Sequence, residues 1–274
     1  MLLRPVALLA LLAACATPPA DDPVEPAAPQ ELTLTASDFA FTGPDTIAPG
    51  LTRVSLVNTG SEPHHVIIGR LGAGKTLADL QAFMAENPNA EPDFLTWLGG
   101  VGMILPGSTS AATSDLPAGD YVLFCFIPSP DGIPHLAKGM IRPLTVSGTP
   151  VVADAPTHDA TIELNEFGFV VPDLTAGTHT LRIVNTGAQT HEIALVRLDE
   201  GATMESYLAG VQPGATTPPP GQPIGGNGAI SPGLANFMTV DLAPGRYLLL
   251  CWVPDPADGV PHVMKGMVTE VVIS

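Results

Sequence analysis

The chain has 274 residues and a formal charge of −17, from 27 acidic and 10 basic side chains. So acidic a surface repels phosphate backbones, which argues against nucleic-acid binding. Hydrophobic residues make up 45% of the sequence, which argues against general disorder. The 30 prolines and 28 glycines favour short strands and many turns over long helices.

The N-terminus has the pattern of an export signal. Arg4 precedes an apolar run over 6–14 that is too short to span a bilayer as a mature helix. The run ends in Leu-Ala-Ala-Cys, which resembles the lipobox of bacterial lipoproteins. The resemblance implies a signal peptide over 1–14, lipid attachment to the membrane at Cys15, and a place on the periplasmic side of the outer membrane or on the cell surface. An ordinary signal peptide with a chance cysteine is the alternative.

The residues that follow, 15–30, are rich in proline, alanine and acidic side chains and show no hydrophobic periodicity. Such a composition predicts a disordered, extended tether between the lipidated cysteine and the folded part of the chain.

Two copies of one module fill the rest of the chain. The segment 56–71, LVNTGSEPHHVIIGRL, returns at 183–198 as IVNTGAQTHEIALVRL, and the segment 115–140 returns at 241–267. Similarity of this length and order indicates a duplication. The predicted units are domain 1 (31–148), a linker containing proline and alanine (149–158) and domain 2 (159–274).

The predicted elements follow the same order in both copies: three strands, one short helix that begins at a threonine, and a continuous apolar strand buried on both sides. They fall at 33–42, 51–58, 64–71, 76–87 and 121–127 in the first copy, and at 161–170, 179–185, 191–198, 203–211 and 247–253 in the second. Turn signals at this density around short strands predict an all-β fold of two tandem β-sandwiches.

One motif match is rejected. Residues 69–76 satisfy G-x-x-x-x-G-K-[ST], but a nucleotide-binding loop of this kind needs a parallel α/β sheet behind it. The module lacks alternating strand and helix units, and the second copy has no lysine at the corresponding place. We therefore expect no nucleotide, and the glycines predict a turn.

Four residues, a histidine, a cysteine, a second histidine and a methionine, recur in the same order in both copies, and they can bind a metal. A thiolate and two imidazoles form a donor set that copper accepts in both oxidation states, with a thioether as a weak axial ligand. His65 has no counterpart in the second copy, and since neighbours in a strand face opposite sides, we expect His64 rather than His65 at the site. The candidates are His64, Cys125, His135, Met140, His191, Cys251, His262 and Met267.

This pattern resembles the cupredoxin family of blue copper proteins. The Asn-Thr-Gly turn before the first histidine, the apolar strand before the cysteine and the spacing His-x-x-x-Gly-Met carry the resemblance, which covers nearly all of 31–148 and 159–274. It implies cupredoxin-like Greek-key sandwiches, one copper ion in each domain, electron transfer and a redox partner protein. The interval between Cys and the second His is shorter in that family. Here nine and ten residues intervene, so metal binding requires these loops to fold back.

Alternatives remain open at this point. One is a metal-free tandem sandwich that serves as an interaction or accessory module, and another is copper capture or delivery without electron transfer. A disulfide between Cys125 and Cys251 is a further structural alternative. Because no histidine adjoins either cysteine and no His-x-His pair occurs, we expect an electron carrier or binding protein rather than an enzyme.

Overall fold

The computed structural model describes residues 27–87, 90–212 and 214–274. The predicted signal peptide, Cys15 and most of the predicted tether lie outside these residues. Within them, we find no helix with the length and apolar character needed to cross a membrane.

The described residues form an all-β structure with two short α-helices, which confirms the predicted fold class. The first repeat contains β1 (Gln30–Ser37), β2 (Ala40–Thr42), β3 (Thr46–Ile47), β4 (Gly50–Asn58), β5 (His64–Leu71), α1 (Leu77–Glu86), β6 (Leu95–Ile104), β7 (Thr109–Leu116), β8 (Gly119–Phe124) and β9 (Ile141–Val146). The second contains β10 (Ala160–Asn165), β11 (Gly168–Val170), β12 (Gly177–Asn185), β13 (His191–Leu198), α2 (Met204–Gly210), β14 (Gly221–Ile230), β15 (Ala235–Leu242), β16 (Gly245–Leu250) and β17 (Val268–Ile273).

The strands form two sheets, and each sheet runs through both repeats. In hydrogen-bonded order the first is β11-β10-β12-β15-β7-β4-β1-β2, and the second is β17-β16-β13-β14-β6-β5-β8-β9-β3. The repeats join where β7 pairs with β15 and where β6 pairs with β14, both antiparallel. The two sandwiches therefore meet edge to edge, which the sequence pattern did not predict. The domain bounds given above stay a prediction.

An apolar core lies between the two sheets in each repeat. Leu32 and Leu34 alternate with exposed residues along β1 and are fully buried against Val66 and Ile68 of the opposite sheet. Burial of one such side chain stabilises the fold by about 1.5–3 kcal/mol. The same cores contain one cysteine and one methionine of each repeated quartet: Cys125 and Met140 in the first, Cys251 and Met267 in the second.

Glycines make the join between β6 and β14 possible. The two strands share the pattern GGxGxI, a third repeated segment. A β-carbon on Gly102 would lie 2.7 Å from the carbonyl oxygen of Gly225, and one on Gly228 would lie 2.7 Å from that of Gly99. Any side chain at these positions would push the strands apart, because real β-carbons do not come so close to backbone atoms.

Both predicted helices begin at the predicted threonines. Thr76 accepts a hydrogen bond from the backbone N–H of Asp79, whose carboxylate accepts from Thr76 N in return, and Thr203 forms the same capping box with Ser206. The rejected nucleotide-loop motif is the turn between β5 and α1. β5 pairs antiparallel with both of its neighbours, β6 and β8.

Candidate metal centres

Three of the four predicted residues of the first repeat converge at one end of its sandwich. His64 opens β5, Cys125 directly follows β8, and His135 opens a 3₁₀ turn. The Nδ1 atoms of the two histidines are 3.0 Å apart, and Cys125 Sγ lies 3.9 Å from that of His64 and 3.4 Å from that of His135. All three side chains are fully buried. Together with Met140 they form what we call site 1.

Met140 is placed by the backbone of the same turn. Gly139 adopts the left-handed conformation, with φ +104°, and ends the 3₁₀ turn. The N–H of Met140 then donates to the carbonyl of His135 at 2.9 Å, and its carbonyl accepts from Cys125 N at 3.2 Å. The Gly-Met pair thus returns the chain to the cysteine, and the fully buried Met140 side chain packs in the same core cluster as Cys125.

The nine-residue interval between Cys125 and His135 folds back as a small hairpin. Ile127 accepts from the N–H of His135 at 2.9 Å, and Ser129 N donates to Ile133 O at 3.0 Å. The turn closes through Gly132, whose N–H donates to Ser129 O at 2.8 Å. The loop therefore leaves the end of β8 and returns to it, so Cys125 and His135 lie close together although nine residues intervene.

The second repeat absorbs its extra residue at the tip of the same hairpin. His262 N donates to Val253 O at 2.9 Å, as in the first repeat, but the closing bond now runs from Gly259 to Asp255 at 2.7 Å. The turn spans one residue more, while the base of the hairpin is unchanged.

Site 2, formed by His191, Cys251, His262 and Met267, therefore matches site 1. Its two Nδ1 atoms are 3.1 Å apart, and the sulfur of Cys251 lies 4.0 Å and 3.5 Å from those of His191 and His262. All four side chains are fully buried. Cys125 and Cys251 are both free thiols, each within its own site, so the structure does not form the disulfide considered above.

Carboxylates hold the outer ring nitrogens of both histidines in site 1. His64 Nε2 lies 3.0 Å from Asp38 Oδ1, and His135 Nε2 lies 2.9 Å from Glu62 Oε2. A carboxylate accepts the Nε2–H proton, which leaves the Nδ1 lone pair free to face Cys125. The carboxylates thus select the tautomer that a metal ion requires.

Both carboxylates are ionised at neutral pH. Hydrogen bonds from the side chain and backbone of Ser61 hold the pKa of Asp38 far below its usual range. The hydrogen bond with His135 lowers the pKa of Glu62.

Site 2 lacks this arrangement. His262 Nε2 lies 3.0 Å from Oε1 of Gln189, a neutral amide. His191 Nε2 is buried and has no hydrogen-bond partner among the described residues, and the carboxylate of Glu166 is 3.8 Å away. Gln189 occupies the position of Glu62, and Glu166 that of Asp38. The sequence pattern did not single out these four residues, although the aligned repeats place them at equivalent positions.

Burial sets the protonation state of the donors. It lowers the pKa of His64, and it lowers the pKa of His191 to about 4, so both imidazoles are neutral at pH 7. Burial also raises the pKa of Cys125 to about 11 and that of Cys251 further. The metal-free thiols are therefore protonated, and binding a metal ion as thiolates releases a proton from each.

A buried asparagine anchors the turn in front of each first histidine. Asn58 Nδ2 donates to the carbonyls of Glu62 and Ile104 at 2.9 and 3.2 Å, and its Oδ1 accepts from Gly60 N at 2.9 Å. Asn185 makes the equivalent three bonds. The asparagine thus ties the turn to β6 and positions the backbone that carries Glu62.

We expect Asn58→Ala to lower the free energy of unfolding by about 2–4 kcal/mol, because it leaves buried carbonyls without a donor. Denaturant titration of the metal-free protein measures this loss. The exposed Asn165 provides the control, and Asn165→Ala should change stability by less than about 0.5 kcal/mol. Equal losses in the two variants would contradict the anchoring role.

Lysines brace both hairpins. Lys138 Nζ lies 2.8 Å from Asp131 Oδ2 and 4.6 Å from the centre of the Phe39 ring, which in turn packs against His135. Lys265 pairs with Asp255 and Asp258 in the second repeat. These contacts hold each hairpin over its site and help to exclude water.

The residue after each first histidine faces away from the site, as strand alternation predicts. His65 Nε2 accepts from Phe126 N at 2.8 Å, and Oε1 of its counterpart Glu192 accepts from Trp252 N at 3.0 Å. Burial raises the pKa of Glu192 from its ordinary value of 4.5 to about 7.

This shift makes the metal-free protein less stable as the pH rises from about 4.5 to 7. In that range the folded chain binds the Glu192 proton more tightly than the unfolded chain does, so deprotonation favours unfolding. We expect Glu192→Gln to be more stable than the parent chain at pH 8, by up to about 3 kcal/mol, and to lose this advantage below pH 4.5. Denaturant titrations of metal-free protein at pH 4.5 and 8 check the prediction, and a pH-independent difference would contradict it.

The donors of both sites fit copper. Each site offers two imidazole nitrogens and one sulfur within 4.8 Å of one another, all buried, with a buried methionine next to them in the core. Soft sulfur donors combined with imidazole suit copper, and a His₂Cys set with a weak axial methionine is the donor set of blue-copper electron-transfer sites.

Comparison with solved structures finds similarity to copper proteins. A reduced auracyanin from Roseiflexus castenholzii is 24% identical, covering 44% of this chain and all of that chain, with a TM-score of 0.32. A copper-containing nitrite reductase from Thermus scotoductus is 14% identical, covering 90% of this chain and 62% of that chain, with a TM-score of 0.26. A blue copper oxidase from Nitrosomonas europaea is 17% identical, covering 90% of this chain and 86% of that chain, with a TM-score of 0.27. No protein-family model and no curated protein sequence matches the chain.

The comparison corrects one prediction. We expected a carrier or binding protein rather than an enzyme, and this was wrong as stated, because the similar structures include a reductase and oxidases. The missing His-x-His pair bears on one type of copper cluster only. It does not separate carriers from enzymes.

Proposed function

We propose that the chain is a copper-binding electron-transfer protein with one type 1 site in each repeat. The observation that carries this proposal is the pair of buried His-Cys-His sets, which recur with the same donor atoms at nearly the same distances. When bound, copper supplies a one-electron couple between Cu(II) and Cu(I).

The protein provides a site that excludes water and holds its donor atoms in fixed positions. Cys125 and Met140 are fixed in the core, and His135 is fixed by the hairpin base and the 3₁₀ turn. Donors held in this way need little rearrangement when the charge of a bound ion changes by one. Phe124 and Phe126, whose rings stack 5.3 Å apart, flank Cys125 and exclude water from the outer side of its strand.

Copper reconstitution tests the proposal. We expect two copper ions per chain after dialysis, an intense visible absorption from thiolate-to-Cu(II) charge transfer, and a reversible one-electron wave. Loss of all copper on dialysis would overturn the proposal in favour of a metal-free module. Retained copper without the visible band or the wave would overturn it in favour of copper capture or delivery.

We also propose that the protein is exported and held at a membrane by lipid on Cys15, where a redox partner reaches it. The support is the Leu-Ala-Ala-Cys sequence over 12–15 and the Pro-rich segment after it. Expression in a bacterial host should give a membrane-bound chain whose N-terminal peptide carries acyl groups by mass spectrometry. Cys15→Ser should release the chain from the membrane fraction, and unchanged membrane binding would contradict the anchor.

A further inference from the structure

We propose that the two sites have different reduction potentials, that of site 1 being the lower, because different side chains hold the outer nitrogens of their histidines. The inference rests on copper binding at both sites, as proposed above. It implies that the first electron to enter the oxidised chain resides in the second repeat.

The first difference lies at the hairpin histidine. His135 Nε2 meets the Glu62 carboxylate at 2.9 Å, whereas His262 Nε2 meets the Gln189 amide at 3.0 Å. The two partners stand at the same position of the repeated turn, two residues before the first histidine. Because the distances agree, the two contacts differ mainly in charge.

The second difference lies at the first histidine. Asp38 accepts from Ser61 and still reaches His64 Nε2 at 3.0 Å. The backbone N–H groups at the equivalent positions, those of Ala188 and Gln189, donate to Glu166 at 2.7–3.0 Å. Its side chain is 41% exposed and stops 3.8 Å from His191.

Two carboxylates therefore lie within hydrogen-bond distance of the imidazoles of site 1, whereas no carboxylate of the described residues lies that close to those of site 2. A carboxylate that accepts the Nε2–H makes the imidazole a stronger donor through Nδ1 and adds negative charge close to the ion. Both effects favour the doubly charged Cu(II) over Cu(I), and burial strengthens them. A carboxamide lacks the charge, and the Nε2–H of His191 has no hydrogen-bond partner in the part of the chain that the structure describes.

The equivalent positions allow a reciprocal exchange. Potentials are measured by spectroelectrochemistry on single-site chains, using Cys251→Ser to leave site 1 and Cys125→Ser to leave site 2. Glu62→Gln should raise the potential of site 1, and Gln189→Glu should lower that of site 2. We expect each exchange to change the balance between Cu(II) and Cu(I) by about tenfold, which corresponds to about 59 mV for one electron. As the control, Glu62→Gln is made in the Cys125→Ser chain and Gln189→Glu in the Cys251→Ser chain. In each of these chains the potential of the remaining site should not change.

Glu192 is an additional carboxylate beside site 2, so the measurements are repeated in the Glu192→Gln background. Asp38→Asn serves as a second site 1 variant if Glu62→Gln does not fold, and it should also raise the potential. Absence of copper from both single-site chains would overturn the proposed function itself. Two filled sites with equal potentials, or exchanges that shift neither potential, would overturn only the inequality.

Discussion

A chain in which Cys125 and Cys251 are both replaced by serine is expected to retain no copper after dialysis and to lose the visible charge-transfer band. Each cysteine places its sulfur within 4.0 Å of both histidine Nδ1 atoms of its site. A serine hydroxyl at the same place ionises far less readily than a thiol, so the site keeps only two imidazoles and a thioether as donors. Each single substitution should halve the bound copper, which metal analysis of dialysed protein measures.

Cys15→Ser is the matched control for this experiment, because Cys15 is not one of the eight candidate ligands. It should keep two copper ions per chain. Since Cys125 and Cys251 are fully buried core residues, far-ultraviolet circular dichroism must show that the double variant is folded. A folded double variant that still binds two copper ions with the same spectrum would refute the assignment of the cysteines as ligands.

The second large effect is expected where β6 pairs with β5 inside the first repeat. Gly100 has φ +112°, and a β-carbon there would lie 2.1 Å from the carbonyl oxygen of Val66. Gly100→Ala must therefore move β5 away from β6, in addition to the strain of the backbone conformation. We expect it to lower the free energy of unfolding by more than about 3 kcal/mol. Because β5 begins at His64, copper bound at site 1 should also become weaker than copper bound at site 2.

Gly107→Ala separates the effect of backbone strain from the effect of the steric clash between strands. Gly107 also has a positive φ, +77°, but no atom lies within 4 Å of the added carbon. Its substitution should cost about 1–2 kcal/mol, the penalty of the left-handed conformation alone. Denaturant titrations of both variants give the comparison, and equal losses would show that close approach of the strands contributes nothing.

Several features of this protein follow from the sequence by itself. The duplication, the all-β class and the identity of the eight candidate ligands are visible because they depend on local patterns: strand periodicity, capping threonines and residue types repeated in order. The preference for His64 over His65 follows from strand alternation, and the structure places the two side chains accordingly.

Other features depend on contacts between distant segments, and only the tertiary structure decides them. The Cys-to-His loops return because backbone hydrogen bonds pair their two ends, such as that from His135 to Ile127. The repeats share both sheets because glycines in β6 and β14 let two backbones approach. The inequality of the sites arises in the same way. Aspartate and glutamate look interchangeable in the aligned repeats, but Asp38 reaches its histidine and Glu166 does not. Backbone amides of the same turn hold both carboxylates, and the hydroxyl of Ser61, which has no counterpart in Ala188, donates to Asp38 as well.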